Sequence, residues 1–514
     1  MSAGLSTDPA LARLADAVLI PPFPGHRAPG WVLAALERGL AGVTLFGSNI
    51  EGPEQLAALT AQLHGAGPQP LVALDEEGGD VTRIAHLTGS PYPGNAALGA
   101  VDDVALTAAV HQALGQDLAA LGVTVDLAPS VDVNTAADNP VIGIRSFGSD
   151  PGLVARHAAA AVSGLQAGGV AACAKHFPGH GSTSADTHRE LVTVDASLDL
   201  LRRRDLPPFV AAIAAGVRGV MPGHLRVPDL TGDLPATLSS AALTGLLRGE
   251  LGFTGVIISD ALEMRAVRDA YGIPEAAVLA MAAGTDLLCL GRDLSEDGYL
   301  AVRRALSEAV SSGRLPARRL EEAARNVAQL RAWLATAAPP GTAVRGTPAR
   351  GTAARDGALP AGGGGENAHI GLVAARRAIR ASDVPGPLTD PVVVELDGAE
   401  NIAVGAVPWG LGAWVAPGSV RRVPAGLAGG DPARIIAEVL AQAAGRSLIV
   451  VVRDAHRHPA AQAVITGLVA ARPDTVLVDM GLPLWRPPGG VHVATYGAAR
   501  PNAQAAAEVL GLAP

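Results

Sequence analysis

Runs of β-branched and other apolar residues alternate, over residues 10–335, with longer stretches that carry Ala and Leu at helical spacing. This alternation is typical of βα units around a parallel sheet, whose strands are buried on both faces. Eight runs predict strands, at residues 18–20, 42–46, 71–74, 123–127, 171–174, 219–221, 255–259 and 286–290. Helices are predicted between them, for instance at residues 103–121, 152–167 and 198–215. The sequence therefore predicts an α/β fold with a (β/α)₈ TIM-type barrel over residues 1–336.

The pattern breaks after Leu334. Residues 337–367 are rich in Ala, Gly and Pro, and they contain too few large apolar side chains to form a core. We interpret this stretch as a linker. Apolar runs resume at residues 391–396, 446–452 and 475–479, and a helical pattern covers residues 503–510. Residues 368–514 are accordingly predicted to form a second, smaller α/β domain.

Composition narrows the classes of partner. The chain has 514 residues, is 49% hydrophobic and 17% charged, and contains no apolar run of the ~20 residues that a membrane span needs. Its net charge is −9 and no basic block is present, which disfavours nucleic acid and anionic membranes as partners. A small neutral substrate fits this composition better, and the oligomeric state is left open.

The amino-terminal stretch lacks the basic, apolar and small-residue regions of a secretion signal, so we expect a cytoplasmic protein. Cysteine usage agrees with that expectation. Cys173 and Cys289 each lie in a short apolar run, where a buried thiol is more common than a disulfide.

Polar side chains stand at or just after the ends of several predicted strands. In a (β/α)₈ barrel the catalytic groups project from these carboxyl ends. The residues in question are Asp75, Asp126, Lys175, His176, His224 and Asp260. Solvent-exposed strand ends or a structural ion-pair network would give the same pattern. Lys175 is also the only lysine of the chain, which indicates a position where a compact ammonium group is needed.

The segment KHFPGHGSTSADTH, residues 175–188, combines three His, one Asp and two Gly after a strand. Asp186 and His188 lie two residues apart in irregular backbone. A carboxylate there can accept the imidazole N–H and raise the basicity of the ring, which makes an acid/base pair. The alternative is a loop His that is bonded locally within an Asx turn.

A zinc site is the competing interpretation of this segment, because His176, His180, Asp186 and His188 are ligand types that zinc accepts. Metal-dependent barrel hydrolases usually have paired His at the end of the first strand. Here that strand is followed by Pro21, Pro22 and Phe23. We therefore expect neither a metal nor any other cofactor.

Several segments together resemble glycoside hydrolase family 3, in its β-N-acetylglucosaminidase (β-N-acetylhexosaminidase) branch. They are LDEEGGDVTR (74–83), DLAPSVDVNTAADNPVIGIRSFGSDP (126–151), KHFPGHGSTSADTH (175–188), VMPGHL (220–225) and GVIISDALEM (255–264). These segments cover most of the predicted barrel. The resemblance implies a carbohydrate substrate and retention of configuration through a covalent glycosyl-enzyme.

The same resemblance implies roles for individual residues. Asp260 would be the nucleophile, and His188, paired with Asp186, would be the acid/base. The sugar in the −1 subsite would be bound by Asp75, Arg145, Lys175 and His176. Met221 and His224 would line the same pocket, although for these two a packing role is equally compatible with the sequence.

One position departs from the family pattern, which commonly has Arg where this chain has Asp80. Either the nearby Arg83 takes over that charge or the leaving-group side of the site differs. Residues 368–514 resemble the accessory domain of two-domain members, and no acid/base motif is evident in them.

Two other functions stay open. The first is a phosphorylase that uses inorganic phosphate to give N-acetylglucosamine 1-phosphate, since a neutral His188 would not repel the phosphate dianion. The second is a sugar-binding protein that has lost catalysis.

Overall fold

The computed structural model describes residues 8–187, 190–292, 294–337, 364–382, 384, 386–397, 401–424 and 431–513. The chain divides into two compact units. Unit 1 contains residues 1–76, 107–133 and 150–365, and unit 2 contains residues 77–106, 134–149 and 366–514. Two stretches of the amino-terminal half thus belong to the unit that holds the carboxy-terminal residues. The predicted linker, residues 337–367, lies almost entirely outside the described residues.

Unit 1 contains the predicted barrel. Its eight strands are β1 (Leu19–Ile20), β2 (Gly42–Thr44), β3 (Leu71–Leu74), β4 (Val125–Asp126), β5 (Ala171–Phe177), β7 (Gly219–Pro222), β9 (Val256–Ile257) and β10 (Leu288–Cys289). Two short strands outside the barrel, β6 (Val192–Thr193) and β8 (Leu225–Arg226), pair with each other. All eight predicted strands are confirmed in position, although the hydrogen-bonded part of most is shorter than the apolar run.

Parallel pairing runs through β2, β3, β4, β5, β7 and β9, while β1 pairs with β10. A parallel bridge between Ile258 and Leu287 continues the ring from β9 to β10. The Thr44 N–H donates to the Pro21 carbonyl at 3.2 Å, which joins β2 to the end of β1. Ring closure of this kind leaves no edge strand exposed.

The apolar runs predict the barrel well because their side chains fill its interior. One buried cluster combines strand residues with side chains of the last helix of the unit, and its members include Ile20, Leu71, Ala73, Val125, Ala171, Cys173, Met221, Val256, Ile258, Val327 and Leu330. Both cysteines are buried free thiols, as predicted.

Helices separate the strands. In chain order they are α1 (Pro9–Asp16), α2 (Gly30–Glu37), α3 (Pro53–Gly65), α4 (Asn95–Val101), α5 (Val104–Ala120), α6 (Pro151–Ala167), α7 (Leu198–Arg204), α8 (Pro207–Ala214), α9 (Pro228–Thr231), α10 (Arg265–Tyr271), α11 (Ile273–Ala283), α12 (Glu296–Ser311) and α13 (Ala317–Ala337). A π-helical segment covers Ala241–Glu250. Capping side chains define where several helices begin. At the start of α6, for example, the Asp150 side chain accepts the Leu153 N–H at 2.6 Å.

The prediction of one helix over residues 198–215 is wrong. The structure has two helices there, α7 and α8, which are separated by Asp205 and Leu206. The cause is the pair Pro207–Pro208, because proline has no N–H to donate and its ring clashes with the preceding turn. The same residues suit the first turn of α8, where the N–H groups need no partner.

Unit 2 contains a six-stranded sheet. The strands are β11 (Arg380–Ser382), β12 (Val392–Leu396), β13 (Val420–Val423), β14 (Leu448–Val452), β15 (Val476–Asp479) and β16 (Val491–Ala494), in the order β11-β16-β15-β14-β12-β13. Every pair is parallel except β11 with β16. A second α/β domain is thereby confirmed.

Buried side chains cover both faces of this sheet, since alternate residues of β12 and β14 belong to two different clusters. Helices α14 (Gly364–Ala378), α15 (Pro432–Gln442), α16 (Pro459–Ala471) and α17 (Arg500–Val509) accompany it. The sequence missed β11, β13 and β16. The first two are edge strands that carry arginine and are partly solvent-accessible, whereas β16 lies between β11 and β15. Throughout the described part of the chain, no helix has the length and apolarity to cross a bilayer.

Candidate active site

The candidate site lies at the carboxyl ends of the unit 1 strands. Asp75 directly follows β3, His224 follows β7 closely and Asp260 follows β9. Lys175 and His176 were predicted to follow β5, but they lie inside it, because that strand extends to Phe177. A polar pair in the interior of a buried strand is compatible with burial only if the protein supplies its hydrogen-bond partners.

Lys175 and Asp75 form a buried ion pair. The Lys175 Nζ lies 2.6 Å from Asp75 Oδ1, and the two side chains are 2% and 22% exposed. An ammonium group so far from water needs a carboxylate close by, and the more accessible Asp75 can meet both the lysine and a ligand. The only lysine of the chain therefore uses its compact ammonium group to form a buried ion pair.

Several ionisable side chains of unit 1 affect the pKa of one group, the Cys173 thiol inside the barrel. Burial raises the pKa of Cys173 above its ordinary value. Lys175 lowers it, whereas the carboxylates Asp75, Asp126 and Asp260 raise it further. Four of the polar positions that the sequence singled out therefore influence the pKa of this one buried thiol.

Asp132 is the centre of the hydrogen bonds below the candidate site. Its Oδ2 accepts the Nδ1–H of His176 at 2.8 Å, and its Oδ1 accepts the backbone N–H of His180 at 2.7 Å. The Ser130 hydroxyl donates to Oδ2 at 3.0 Å. Although burial tends to raise the pKa of Asp132, the His176 and His180 side chains and these hydrogen bonds lower it below the usual value. The carboxylate therefore stays charged.

Sequence reasoning missed this role of Asp132. The residue is part of the segment DLAPSVDVN that carries the family resemblance, and it is buried. A carboxylate two residues after Ser130 in an apolar surrounding was the available signal, since an Asp in such a place needs several donors.

His180 fixes the loop that leads to the proposed acid/base pair. Its Nδ1 lies 2.9 Å from Thr183 Oγ1 and its Nε2 lies 3.2 Å from Thr187 Oγ1. Both ring nitrogens thus engage hydroxyl groups. Asp186 is half-buried in this loop, and His188 lies outside the described residues. The pairing of Asp186 with His188 stays a prediction.

The same hydrogen bonds bear on the competing zinc interpretation. A histidine ligand needs one ring nitrogen for the metal, whereas both nitrogens of His180 are bonded to threonine hydroxyls. Among the described residues, which do not include His188, no three His, Cys, Asp or Glu side chains are grouped so that they could hold a metal ion.

Asp260 accepts a hydrogen bond within its own loop, and His224 binds the neighbouring peptide group. The Asp260 Oδ1 accepts the Ala261 N–H at 2.8 Å. His224 is fully buried, its Nε2 donates to the Ala261 carbonyl at 3.0 Å, and its Nδ1 lies 2.9 Å from Thr237 Oγ1. His224 therefore orients the peptide next to Asp260. Met221 packs in the barrel interior, which favours the packing role over contact with substrate.

Arg145 belongs to unit 2 and is held there by Glu77. Its Nε donates to Glu77 Oε2 at 2.8 Å and its Nη2 donates to Glu77 Oε1 at 2.7 Å, so the pair is bidentate and buried. The amide of Asn95 donates to the Arg145 carbonyl at 2.7 Å. The plane of the guanidinium group is consequently defined before any ligand binds.

Asp126 is a second buried carboxyl group of unit 1. Its Oδ1 accepts the Glu76 N–H at 3.0 Å. Burial raises the pKa of Asp126 well above its ordinary value, and the neighbouring charges of Glu76 and Asp75 raise it further, against the effects of the Glu76 N–H and Lys175. The protonated form of Asp126 is therefore favoured up to a higher pH than in an exposed aspartate.

Comparison with known families decides where this arrangement belongs. The sequence model described as Glycosyl hydrolase family 3 N terminal domain matches residues 32–330, which is more than half of the chain. The chain belongs to glycoside hydrolase family 3.

Relatives within family 3 agree with this assignment. Beta-hexosaminidase A of Pseudoalteromonas piscicida is 37% identical over 270 residues, which cover 48% of this chain and 45% of that protein. Beta-hexosaminidase LpqI of Mycobacterium tuberculosis is 38% identical over 296 residues, which cover 56% of this chain and 75% of that protein. The chain therefore spans less than half the length of the first relative.

A solved structure is similar over nearly the whole chain. It is a glycoside hydrolase family 3 beta-N-acetylglucosaminidase from Paenibacillus sp. str. FPU-7, with 32% sequence identity and a TM-score of 0.83. The similarity covers 98% of this chain and 96% of that one. Both the barrel and the second sheet are thus family 3 architecture.

The raised pKa of Asp126 gives a pH test of this family 3 barrel. The unfolded carboxyl ionises near pH 3.9, whereas the folded one stays protonated to higher pH, so the folded state loses stability as pH rises through that interval. Asp126→Asn keeps an acceptor for the Glu76 N–H and carries no charge. We expect its free energy of unfolding to increase relative to wild type as the pH rises above about 4, by about 1.4 kcal/mol for each unit by which the pKa is raised.

Asp269→Asn is the control for this measurement. Asp269 is exposed, and hydrogen bonds from Arg268 and Arg265 lower its pKa, so its replacement should change relative stability in the opposite direction over the same interval. If Asp126→Asn instead lost stability with rising pH as Asp269→Asn does, Asp126 would be a charged and paired group.

Proposed function

We propose that this chain is a retaining β-N-acetylhexosaminidase that releases terminal β-N-acetylglucosamine from small glycosides, with peptidoglycan fragments as the natural source. Both curated relatives are named beta-hexosaminidases, and the similar solved structure is named a beta-N-acetylglucosaminidase. The observation that carries the proposal is the buried Asp75–Lys175 pair at the carboxyl end of the barrel, the end at which Asp260 follows β9. The cytoplasmic location stays a prediction from the sequence.

Binding of the sugar would rest on groups that are already oriented. Asp75 can accept hydroxyl hydrogens while Lys175 holds it in place. Lys175 and Arg145 would donate to oxygens that gain partial charge as the oxocarbenium-like transition state forms. Asp132 fixes the His176 ring within unit 1, and Glu77 fixes the Arg145 guanidinium within unit 2, so neither side chain has to reorient within its own unit.

The first chemical step is attack by an Asp260 oxygen on the anomeric carbon. The bond from that carbon to the glycosidic oxygen breaks, and His188, as the imidazolium ion, gives its proton to the departing oxygen. Asp186 would accept the other ring N–H and stabilise the cation. An imidazole suits this role because its ordinary pKa lies near neutral pH.

In the second step the neutral His188 takes a proton from water, and the resulting nucleophile attacks the anomeric carbon from the opposite face. The bond to Asp260 breaks and the carboxylate is restored. Two inversions give net retention.

The substrate class is tested with chromogenic glycosides. We expect the wild-type protein to release nitrophenol from the β-N-acetylglucosaminide much faster than from the β-glucoside. In phosphate buffer the sugar product should be free N-acetylglucosamine. Sugar 1-phosphate would make the chain a phosphorylase, and intact substrate that stays bound after long incubation would make it a sugar-binding protein.

The nucleophile is tested by Asp260→Ala. Turnover should be lost while binding of the sugar largely survives, because the covalent step requires a carboxylate at this position. A 5-fluoro glycosyl fluoride of N-acetylglucosamine should label the wild-type protein on Asp260 and leave the variant unlabelled. Asp269→Ala, an exposed change on α10, is the matched control and should keep the wild-type rate. A near-normal rate in Asp260→Ala would remove it as the nucleophile.

The acid/base role predicts a dependence on the leaving group. Nitrophenolate departs almost without a proton, so His188→Ala should slow its release modestly. A natural sugar alcohol needs the proton, and its kcat/KM should fall by roughly 10²–10⁴-fold. Asp186→Asn should show the same trend more weakly. Equal losses for both classes of leaving group would mean that His188 is structural, and recovery with zinc after chelation would mean that it is a metal ligand.

A further inference from the structure

The carboxyl edge of the unit 2 sheet is a place where open α/β sheets ordinarily bind ligands. The usual site is the point where the strand order reverses. Here that point lies between β12 and β14, because β13 is on one side while β15 and β16 are on the other. The residues that follow these strands are therefore candidates for a binding role.

The residues after β12 and β14 bind another segment of the same chain. After β14, His456 donates through Nε2 to the Ala137 carbonyl at 2.7 Å. After β12, the Asn401 amide donates to the Val141 carbonyl at 3.3 Å. Ala137 and Val141 belong to residues 134–149, the stretch of unit 2 that also contains Arg145. The ligand edge of the sheet thus engages the segment that carries the proposed sugar-binding arginine.

Asp80 also contacts residues at the carboxyl edge of the unit 2 sheet. Its Oδ1 accepts the Ala498 N–H, after β16, at 2.9 Å, and its Oδ2 lies 3.7 Å from Nη1 of Arg453, directly after β14. The Arg453 guanidinium stacks over Trp409 at 4.4 Å. Burial raises the pKa of Asp80 and Arg453 opposes that effect, so the charge of Asp80 depends on unit 2. The cation beside Asp80 is thus Arg453, whereas the Nη2 of Arg83 donates to the Ala403 carbonyl at 3.0 Å.

A short connection leads from Asp80 to Arg145. The Glu77 N–H donates to the Val81 carbonyl at 3.0 Å, which closes a turn with Asp80 inside it. Gly79 in that turn has a positive φ of 63°, and a Cβ there would lie 2.6 Å from the Cα of Gly94, so the turn has no freedom to move inward. The turn starts at Glu77, which forms the bidentate pair with Arg145.

We propose that Asp80 is a positioning residue for substrate binding, which acts through the Glu77–Arg145 pair and makes the carboxyl edge of the second domain part of the sugar-recognition machinery. The inference rests on the proposed function in one respect, the role of Arg145 as a donor to the sugar. The second domain then serves the reaction without contributing a group to the chemistry.

A double-mutant cycle tests this proposal. Asp80→Asn keeps an oxygen for the Ala498 N–H and removes the charge that faces Arg453. We expect kcat/KM to fall about tenfold in Asp80→Asn, in line with couplings between residues of one hydrogen-bond network. In the Arg145→Ala background the same change should have no further effect, because its route to the substrate is gone. A merely structural role would reduce activity by the same factor in both backgrounds.

Asp390→Asn is the matched control. Asp390 pairs with Arg446 at 2.8 Å just before β12 and β14, at the amino edge of the same sheet, so it is also an Asp–Arg pair of unit 2. We expect its kcat/KM to stay within about twofold of wild type. Wild-type activity in Asp80→Asn, or losses that multiply in the double variant, would overturn the proposal.

The outcome is separable from that of the proposed function. The cycle is run on whichever chromogenic β-glycoside the wild type cleaves. Inactivity towards the β-N-acetylglucosaminide would then contradict the proposed substrate but not the proposed role of Asp80. If the wild type cleaves none of them, the same cycle is measured by calorimetry as the dissociation constant of N-acetylglucosamine. Coupling between Asp80 and Arg145 then supports the inference, and its absence overturns it.

Discussion

The carboxylate of Asp132 is the interaction on which the candidate site depends. One buried group accepts hydrogen bonds from Ser130, from the ring and backbone of His176 and from the backbone of His180. These donors belong to two neighbouring stretches of chain, the one that follows β4 and the one that ends β5. A buried anion with several donors is costly to leave unsatisfied, so it specifies one arrangement of them. The loop towards Asp186 starts from this fixed point.

Much of the fold was predictable from the sequence, for a physical reason. Strands buried on both faces must be apolar throughout, so the barrel strands and β12, β14 and β15 were found close to their true positions. Edge strands such as β11 and β13 carry arginine, and no periodicity distinguishes them from loops. The break between α7 and α8 was readable from Pro207–Pro208, but helical spacing on either side obscured it.

The sequence identified most residues of the candidate site, but it did not predict which partner each of them contacts. Asp75 and Lys175 were expected at the barrel mouth, and a direct ion pair joins them. His224 was expected either to line the pocket or to pack, and its ring orients the peptide beside Asp260. The partner of Asp80 could not be found from sequence, since Arg453 lies more than 370 positions further along the chain. Composition and spacing describe local structure, and such pairings arise only when the chain folds.

The interleaving of unit 2 has a consequence for how the protein is made. The Asp80–Ala498 hydrogen bond joins positions 418 residues apart. A ribosome that adds roughly 5–20 residues per second would emit the Asp80 turn some 20–80 s before its partner strand exists. Throughout that time the segment that carries Glu77 and Arg145 has been synthesised without the sheet that later anchors it. The barrel strands can pair with their own neighbours, so the contacts that hold this segment in unit 2 would form only after all the barrel strands have been made.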